Sequence, residues 1–173
     1  MLLRETEVST IEEAFGLMPQ AEQEHSRRVA EYTEAAFVRA TSKGLFAEEL
    51  YGKYEMTIEN RSFAFAAGLY HDIGKLMDGD HTVSGQEIIE ALYPDFDRLK
   101  PYHQRMLRQG AGDHHEFMDG SGKPNKKIGR EIGYMGRFIA IADEVDHRAM
   151  TLRTENPIAD ALKQIRSEIE LGH

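Results

Sequence analysis

The sequence contains no cysteine. Disulfides and zinc–thiolate sites are therefore excluded, and any metal must rest on histidine and carboxylate groups. No apolar run approaches the ~20 residues needed to span a bilayer. The opening MLLRETEVST lacks the basic start and long apolar stretch of a secretory signal. A cytoplasmic protein without membrane attachment is the expectation. Basic residues are the minority: 21 Lys and Arg against 30 Asp and Glu leave a formal net charge of −9. That balance argues against polymeric nucleic acid as a partner, because sequence-independent binding needs a broad basic face. A small phosphate-bearing substrate stays open, since bound divalent cations make a pocket locally positive.

What is present is one domain's worth of chain, 173 residues with 40% hydrophobic content, enough for a compact core. Eight histidines are the pointed feature, and five of them fall between His71 and His115. Ser9 followed by Glu12 reads as a capping box opening a short helix that Pro19 closes. From about Ala21 to Thr41 the pattern is helical, with His25, Val29, Tyr32 and Ala36 on one stripe, and Gly44 ends it. Leu45 to Gly52 reads as a further turn or short helix. Thr57 to Tyr70 is an apolar helix running into His71-Asp72-Ile73-Gly74-Lys75. Val83 to Leu92 is helical, and Pro101 opens a helix to about Gln109. Residues 110–127 carry four glycines and a proline, which predicts a long loop of the kind that carries function. Ile128 to about Met150 is helical, and Pro157 opens a last helix ended by Gly172. No alternating strand signal of useful length occurs. The fold class is all-α, a single bundle of about six to eight helices, with residues 1–19 as a lead-in and 20–173 as the domain.

Adjacent helical residues point about 100° apart, so His71 and Asp72 can approach one metal only at a helix end or kink, which Gly74 is expected to supply. Imidazole is a strong ligand for first-row divalent metals, and a carboxylate can bridge two ions. Lys75, one turn on, is placed to meet an anionic oxygen. Taken alone, HDIGK is equally a helix end with polar caps, and His114-His115 is equally a pair of solvated loop residues. His25 and Asp143 occupy apolar stripes, where an unpaired carboxylate costs several kcal/mol. A core histidine and a buried salt bridge would explain each singly. Together the residues favour one cluster.

His25, His71-Asp72 and Asp143 resemble the signature of the HD superfamily of metal-dependent phosphohydrolases. HDIGK at 71–75, HTVSGQEII at 81–89, HHEFMDGSGKP at 114–124 and RFIAIADEVD at 137–146 are closer still to its HD-GYP branch, the cyclic di-GMP phosphodiesterases. The resemblance covers about residues 20 to 170. It implies one metal on His25, His71, Asp72 and Asp143, and a second on His81, His114 and His115, with Asp72 bridging. It implies iron or manganese ahead of zinc, nickel or magnesium. Two ions ~3.5–4 Å apart can activate a bridging hydroxide and stabilise phosphoryl oxygens. Asp72 and Lys75 would be the catalytic residues, with Lys75 holding a nonbridging oxygen or aiding the leaving group.

Departures from the family pattern fall on the substrate side. Lys123 replaces the GYP tyrosine, and only residues 76–80 separate HDIGK from His81. Ala21 stands where trinuclear members place a glutamate, and Glu22 and Glu24 are read as lying on another helical face, so two ions are expected. Arg153 is the candidate for the family's phosphate arginine, and Lys123 for a further substrate contact. Lys123, Lys126, Lys127 and Arg130 form a basic edge, read as a phosphate clamp or a solvated run. Arg137 is read as pairing with an acidic neighbour, and Asp119-Gly120 as a tight turn. His103, His147 and His173 receive no role. The implied function is phosphodiester cleavage of a cyclic dinucleotide. The alternatives are a nucleotidase or phosphomonoesterase, and a signalling module that binds a cyclic dinucleotide or protein without turnover. No sensor domain fits in 173 residues, so a homodimer or a separate sensor or regulator protein is the expected route for signals.

Overall fold

The computed structural model describes residues 7–44 and 57–170. The first helix, α1, is Ile11–Gly16. Its capping box falls one residue later than the sequence reading placed it. Thr10 Oγ1 accepts from the Glu13 N–H at 3.2 Å, and the Glu13 carboxylate accepts from the N–H groups of Ser9 and Thr10 at 2.8 and 3.2 Å. The shift follows from burial: Ile11 is the first fully buried residue among the described ones, so the cap is the residue directly before it.

The long helix α2, Gln20–Ser42, starts directly after Pro19 and gives way to Gly44 in the left-handed region (φ 65°). The turn expected over Leu45 to Gly52 and the stop at Gly172 lie outside the described residues. Helix α3, Ile58–Leu69, is capped by Thr57, whose side chain accepts from the Asn60 N–H at 3.0 Å. A 3-10 turn, Ile73–Leu76, leads to α4, His81–Leu92, which Asp80 caps through the Thr82 N–H at 3.0 Å. After a second 3-10 turn, Phe96–Arg98, come α5, Pro101–Asp113, and α6, Tyr134–Thr151. Helix α7, Pro157–Glu170, completes seven α-helices among the described residues.

Two boundaries differ from the sequence reading. Helix α5 continues four residues past Gln109, through Gly110–Asp113, so the loop expected from residue 110 begins at His114. Glycine is a poor helix former, but here tertiary packing overrides the deficit. A Cβ at Gly110 would lie 2.9 Å from the Ala67 carbonyl oxygen, so only glycine lets α5 press onto α3. The helix expected from Ile128 is instead a 3-10 turn, Gly129–Glu131, and then α6. Gly133 stands at the break, its N–H donating to Asp113 Oδ2 at 2.9 Å.

Helix α2 packs on α3 and α6, α5 packs on α3, α4 and α6, and α7 packs on α6. Each of the seven helices and one turn gives a fully buried apolar residue: Ile11, Val29, Ala67, Ile73, Ile89, Leu107, Ile139 and Ala161 are all inaccessible. No strand occurs among the described residues, only an isolated bridge between Asp119 and Ile128. None of the described helices is long and apolar enough to cross a membrane.

Candidate metal centre

Five elements bring histidine and aspartate to one place. Helix α2 carries His25, the turn after α3 carries His71 and Asp72, and α4 begins on His81. The end of α5 supplies His114 and His115, and α6 supplies Asp143. His71 is fully buried, and His25, Asp72 and His114 are nearly so. Helix α3 has already ended at Leu69, so the change of direction that turns His71 and Asp72 inward precedes Gly74. Gly74 does something else. A Cβ there would lie 2.0 Å from the His81 carbonyl oxygen and 2.5 Å from the Gly85 nitrogen. Its missing side chain seats α4 against the turn and brings His81 to the cluster.

Asp72 is the centre of the arrangement. Its Oδ2 lies 3.4 Å from His71 Nε2 and 3.8 Å from His25 Nε2. Its Oδ1 lies 3.4 Å from His81 Nε2 and 3.7 Å from His114 Nε2. Asp143 Oδ1 is 3.1 Å from His25 Nε2, and the His115 ring sits 5.0 Å from that of His81 and 4.2 Å from that of His114. One oxygen therefore faces each of two groups, His25 with His71 and His81 with His114 and His115.

The donor set fits divalent cations. Gly68 and Gly110 offer carbonyl oxygens 2.7 and 2.9 Å from the Nδ1 atoms of His71 and His114. A carbonyl only accepts, so Nδ1 carries the proton and Nε2 presents a lone pair inward. His71 Nε2 is buried without a hydrogen-bond partner, and His25 Nε2 and Asp143 Oδ1 are buried 3.1 Å apart. Such atoms are costly unless something is bound to them, and nitrogen and oxygen donors without sulfur suit first-row divalent metals.

Electrostatics point the same way. Burial drives His114 down to about 3, with His71 and His115 adding to the shift, and burial also lowers His71 and His115. Burial would raise Asp72, but His71 and the Lys75 ammonium hold its carboxyl well below the usual range. Burial opposes charge on His25 too, yet hydrogen bonds with Asp143 and Asp146 outweigh it and push the ring up to about 9. Neutral imidazoles beside ionised carboxylates are what a cation requires, and the His25 proton is one that a cation would displace.

Several contributors escaped the sequence reading. Asp146 Oδ2 is 2.8 Å from His25 Nδ1, while Arg28 donates to both Asp146 oxygens at 2.7 and 3.0 Å. Its signal was available: Asp146 shares the inward stripe of α6 with Asp143. The buried Glu116 carboxylate accepts from the N–H groups of Asn125 and Lys127 at 2.6 and 2.9 Å and so folds the 116–127 loop back on itself. The Asp119-Gly120 turn is formed, with Asp119 Oδ1 accepting from the Ser121 N–H at 2.9 Å and Gly120 at φ 82°. Lys127, read as part of a basic edge, donates to the buried Asp113 carboxylate at 2.6 Å. Arg137 donates to the carbonyls of Ile132 and Gly129 at 2.9 and 3.2 Å. Glu22 does reach the site's face, contrary to the reading of its helical position: Lys75 Nζ lies 2.9 Å from its carboxylate and 2.6 Å from Asp72 Oδ2.

Beside His81 and His115 opens a cleft of about 490 Å³, lined also by Asp80, Phe117, Ser121 and Lys123. Lys123 thus faces the cluster. Arg153 is exposed in the connection between α6 and α7 and does not line this cleft.

The family model described as HD domain matches residues 23–148. The chain belongs to the HD domain family. Within that span lie every histidine and aspartate of the cluster. Similar curated proteins come from Vibrio cholerae serotype O1. The 3'3'-cGAMP-specific phosphodiesterase 3 is 32% identical over 150 residues, covering 80% of this chain and 28% of the relative. Phosphodiesterases 2 and 1 of the same specificity are 28% and 27% identical, over 72% and 86% of this chain. The HD chain spans about a quarter to a third of the length of these relatives.

Proposed function

We propose that this HD-family chain is a metal-dependent phosphodiesterase that cleaves a cyclic dinucleotide, in the manner of the HD-GYP-like branch. The observation that carries the reading is the Asp72 carboxylate, with one oxygen toward His25 and His71 and the other toward His81 and His114. His25, His71, Asp72 and Asp143 would hold one cation, and Asp72, His81, His114 and His115 a second. Iron or manganese suits such a set. When bound, such ions supply Lewis acidity and lower the pKa of an attacking water.

The chain's own residues do the rest. Lys75, exposed and paired with Asp72 and Glu22, keeps an ammonium at the cluster's edge for a nonbridging phosphate oxygen. Lys123 brings a second positive charge to the cleft wall, and the exposed ring of Phe117 offers a face on which a base can stack. Arg153 takes no part in this assignment. The names of the three Vibrio cholerae relatives support a cyclic dinucleotide as the substrate class, and cyclic di-GMP and 3'3'-cGAMP are the compounds to compare.

The test is product analysis after incubating iron- or manganese-loaded protein with cyclic di-GMP, 3'3'-cGAMP, a nucleoside monophosphate and an aryl phosphodiester. A linear dinucleotide is the expected product. Phosphate release from the monophosphate alone would replace the reading with a phosphomonoesterase, and binding without turnover of any compound would replace it with a signalling module.

A further inference from the structure

Helix α2 begins on Gln20 directly behind Pro19, and no side chain caps it. Glu22 is the third residue of that first turn, the place from which an acid ordinarily reaches back to the N–H at the cap. Pro19 has no N–H to offer. The Glu22 carboxylate instead crosses to Lys75, 53 residues on in the chain, whose Nζ donates to its Oε2 at 2.9 Å. Glu22 precedes His25 by three residues, a spacing that puts both on one side of the helix. The start of α2 therefore delivers a histidine to the cluster and, beside it, an acid to the lysine.

Lys75 thus has two anchors, Asp72 Oδ2 at 2.6 Å and Glu22 Oε2 at 2.9 Å. They are not equivalent. Asp72 is the bridging ligand of the proposed site, and bound cations would offset its charge and repel a neighbouring ammonium. Glu22 stands outside that ligand set and keeps its charge for the lysine. We infer that Glu22 is the positioning residue for Lys75, holding the ammonium at the cluster's edge when cations occupy Asp72. The inference rests on the phosphodiesterase reading of the site.

The pair has little to do with holding the fold together. Both side chains are open to water, and an exposed ion pair adds little to stability. Its effect lies in where the ammonium stands when a phosphate arrives. A group misplaced by ~1 Å can cost ~100-fold in rate, and a four-carbon lysine stem with one anchor weakened has that freedom.

A double-mutant cycle between Glu22 and Lys75, read by turnover of bis(p-nitrophenyl) phosphate by the manganese-loaded full chain, tests this. Glu22→Gln keeps the length of the side chain and removes its charge. It should lower kcat roughly 10-fold, with KM and manganese stoichiometry unchanged. In a Lys75→Ala background the same substitution should cost nothing further. Side-chain order gives a second readout that needs no turnover. In zinc-loaded protein, NMR relaxation of the Lys75 side chain should report an ordered ammonium in the wild type and a disordered one in Glu22→Gln. Additive losses in the cycle, a faster Glu22→Gln enzyme, or an equally ordered Lys75 would overturn the assignment while leaving the phosphodiesterase reading standing. A manganese ion lost from Glu22→Gln would make Glu22 a ligand, which also overturns it. A wild-type chain that cleaves no phosphodiester would overturn the reading of the site and the role of Glu22 with it.

Discussion

Single side chains in this site depend on partners that never reach the centre. Asp146 fixes the tautomer and angle of His25 from behind, and Arg28 in turn holds Asp146 with paired hydrogen bonds. Asp146→Asn keeps the shape but removes the charge that favours a donating Nδ1–H. Manganese affinity of this variant is expected to fall ~10–100-fold with helicity unchanged, as read by calorimetric titration and circular dichroism. His103 makes a different case. It is buried outside the cluster, stacked on Phe63 with ring centroids 3.7 Å apart, and its Nε2 is 2.9 Å from Asn60 Oδ1. Burial lowers its pKa, against the opposing pull of Glu59. A depressed histidine favours the fold while neutral: its contribution is present above the unfolded value of ~6.5 and is lost as pH falls toward the folded value. NMR titration should find a ring midpoint below ~6.5. A midpoint above that value would reverse the sign.

Elements and their junctions decide whether the ligands meet. The junction between α3 and α4 is the most sensitive, because Gly74 lies against the His81 carbonyl and the Gly85 nitrogen, both backbone groups that cannot rotate away. Gly74→Ala is expected to destabilise the fold by about 1–3 kcal/mol, the range of core overpacking. It should also displace His81, so that chemical denaturation and manganese stoichiometry fall together. Normal stoichiometry in a destabilised variant would separate the two roles. At this scale the sequence was legible wherever a stripe or a cap was strong, as in α2, α3 and α7. It misled at Gly110–Asp113 and at Ile128. Both are glycine-bearing segments whose conformation is set by a neighbouring helix, through Ala67 in one case and Asp113 in the other.

Across the whole molecule, the apolar core and the polar cluster are separate sources of stability. The core joins α1 through α6 by residues such as Ile11, Val29, Leu107 and Ile139, each contributing about 1.5–3 kcal/mol on burial. The chain should therefore remain helical when stripped of metal. Cations bind the folded state alone, so manganese at 100 times its Kd should add about 2.7 kcal/mol, visible as a higher Tm than in chelator. A chelated chain that loses its helical circular dichroism would show that the cluster holds the fold together.

The sequence alone determined the all-α class, the order of the helices and the types of group that carry chemistry. Those are local properties: periodicity, caps, and histidine or aspartate on stripes that should be apolar. Tertiary structure decided which Asp72 oxygen faces which imidazoles, and that His25 leans on Asp146, 121 residues away in the chain. It alone placed Lys127 on Asp113, Glu22 on Lys75 and His147 beside Asp143. Side chains converge according to how helices pack, and packing angles are set by volumes on every neighbouring element. No local spacing records them.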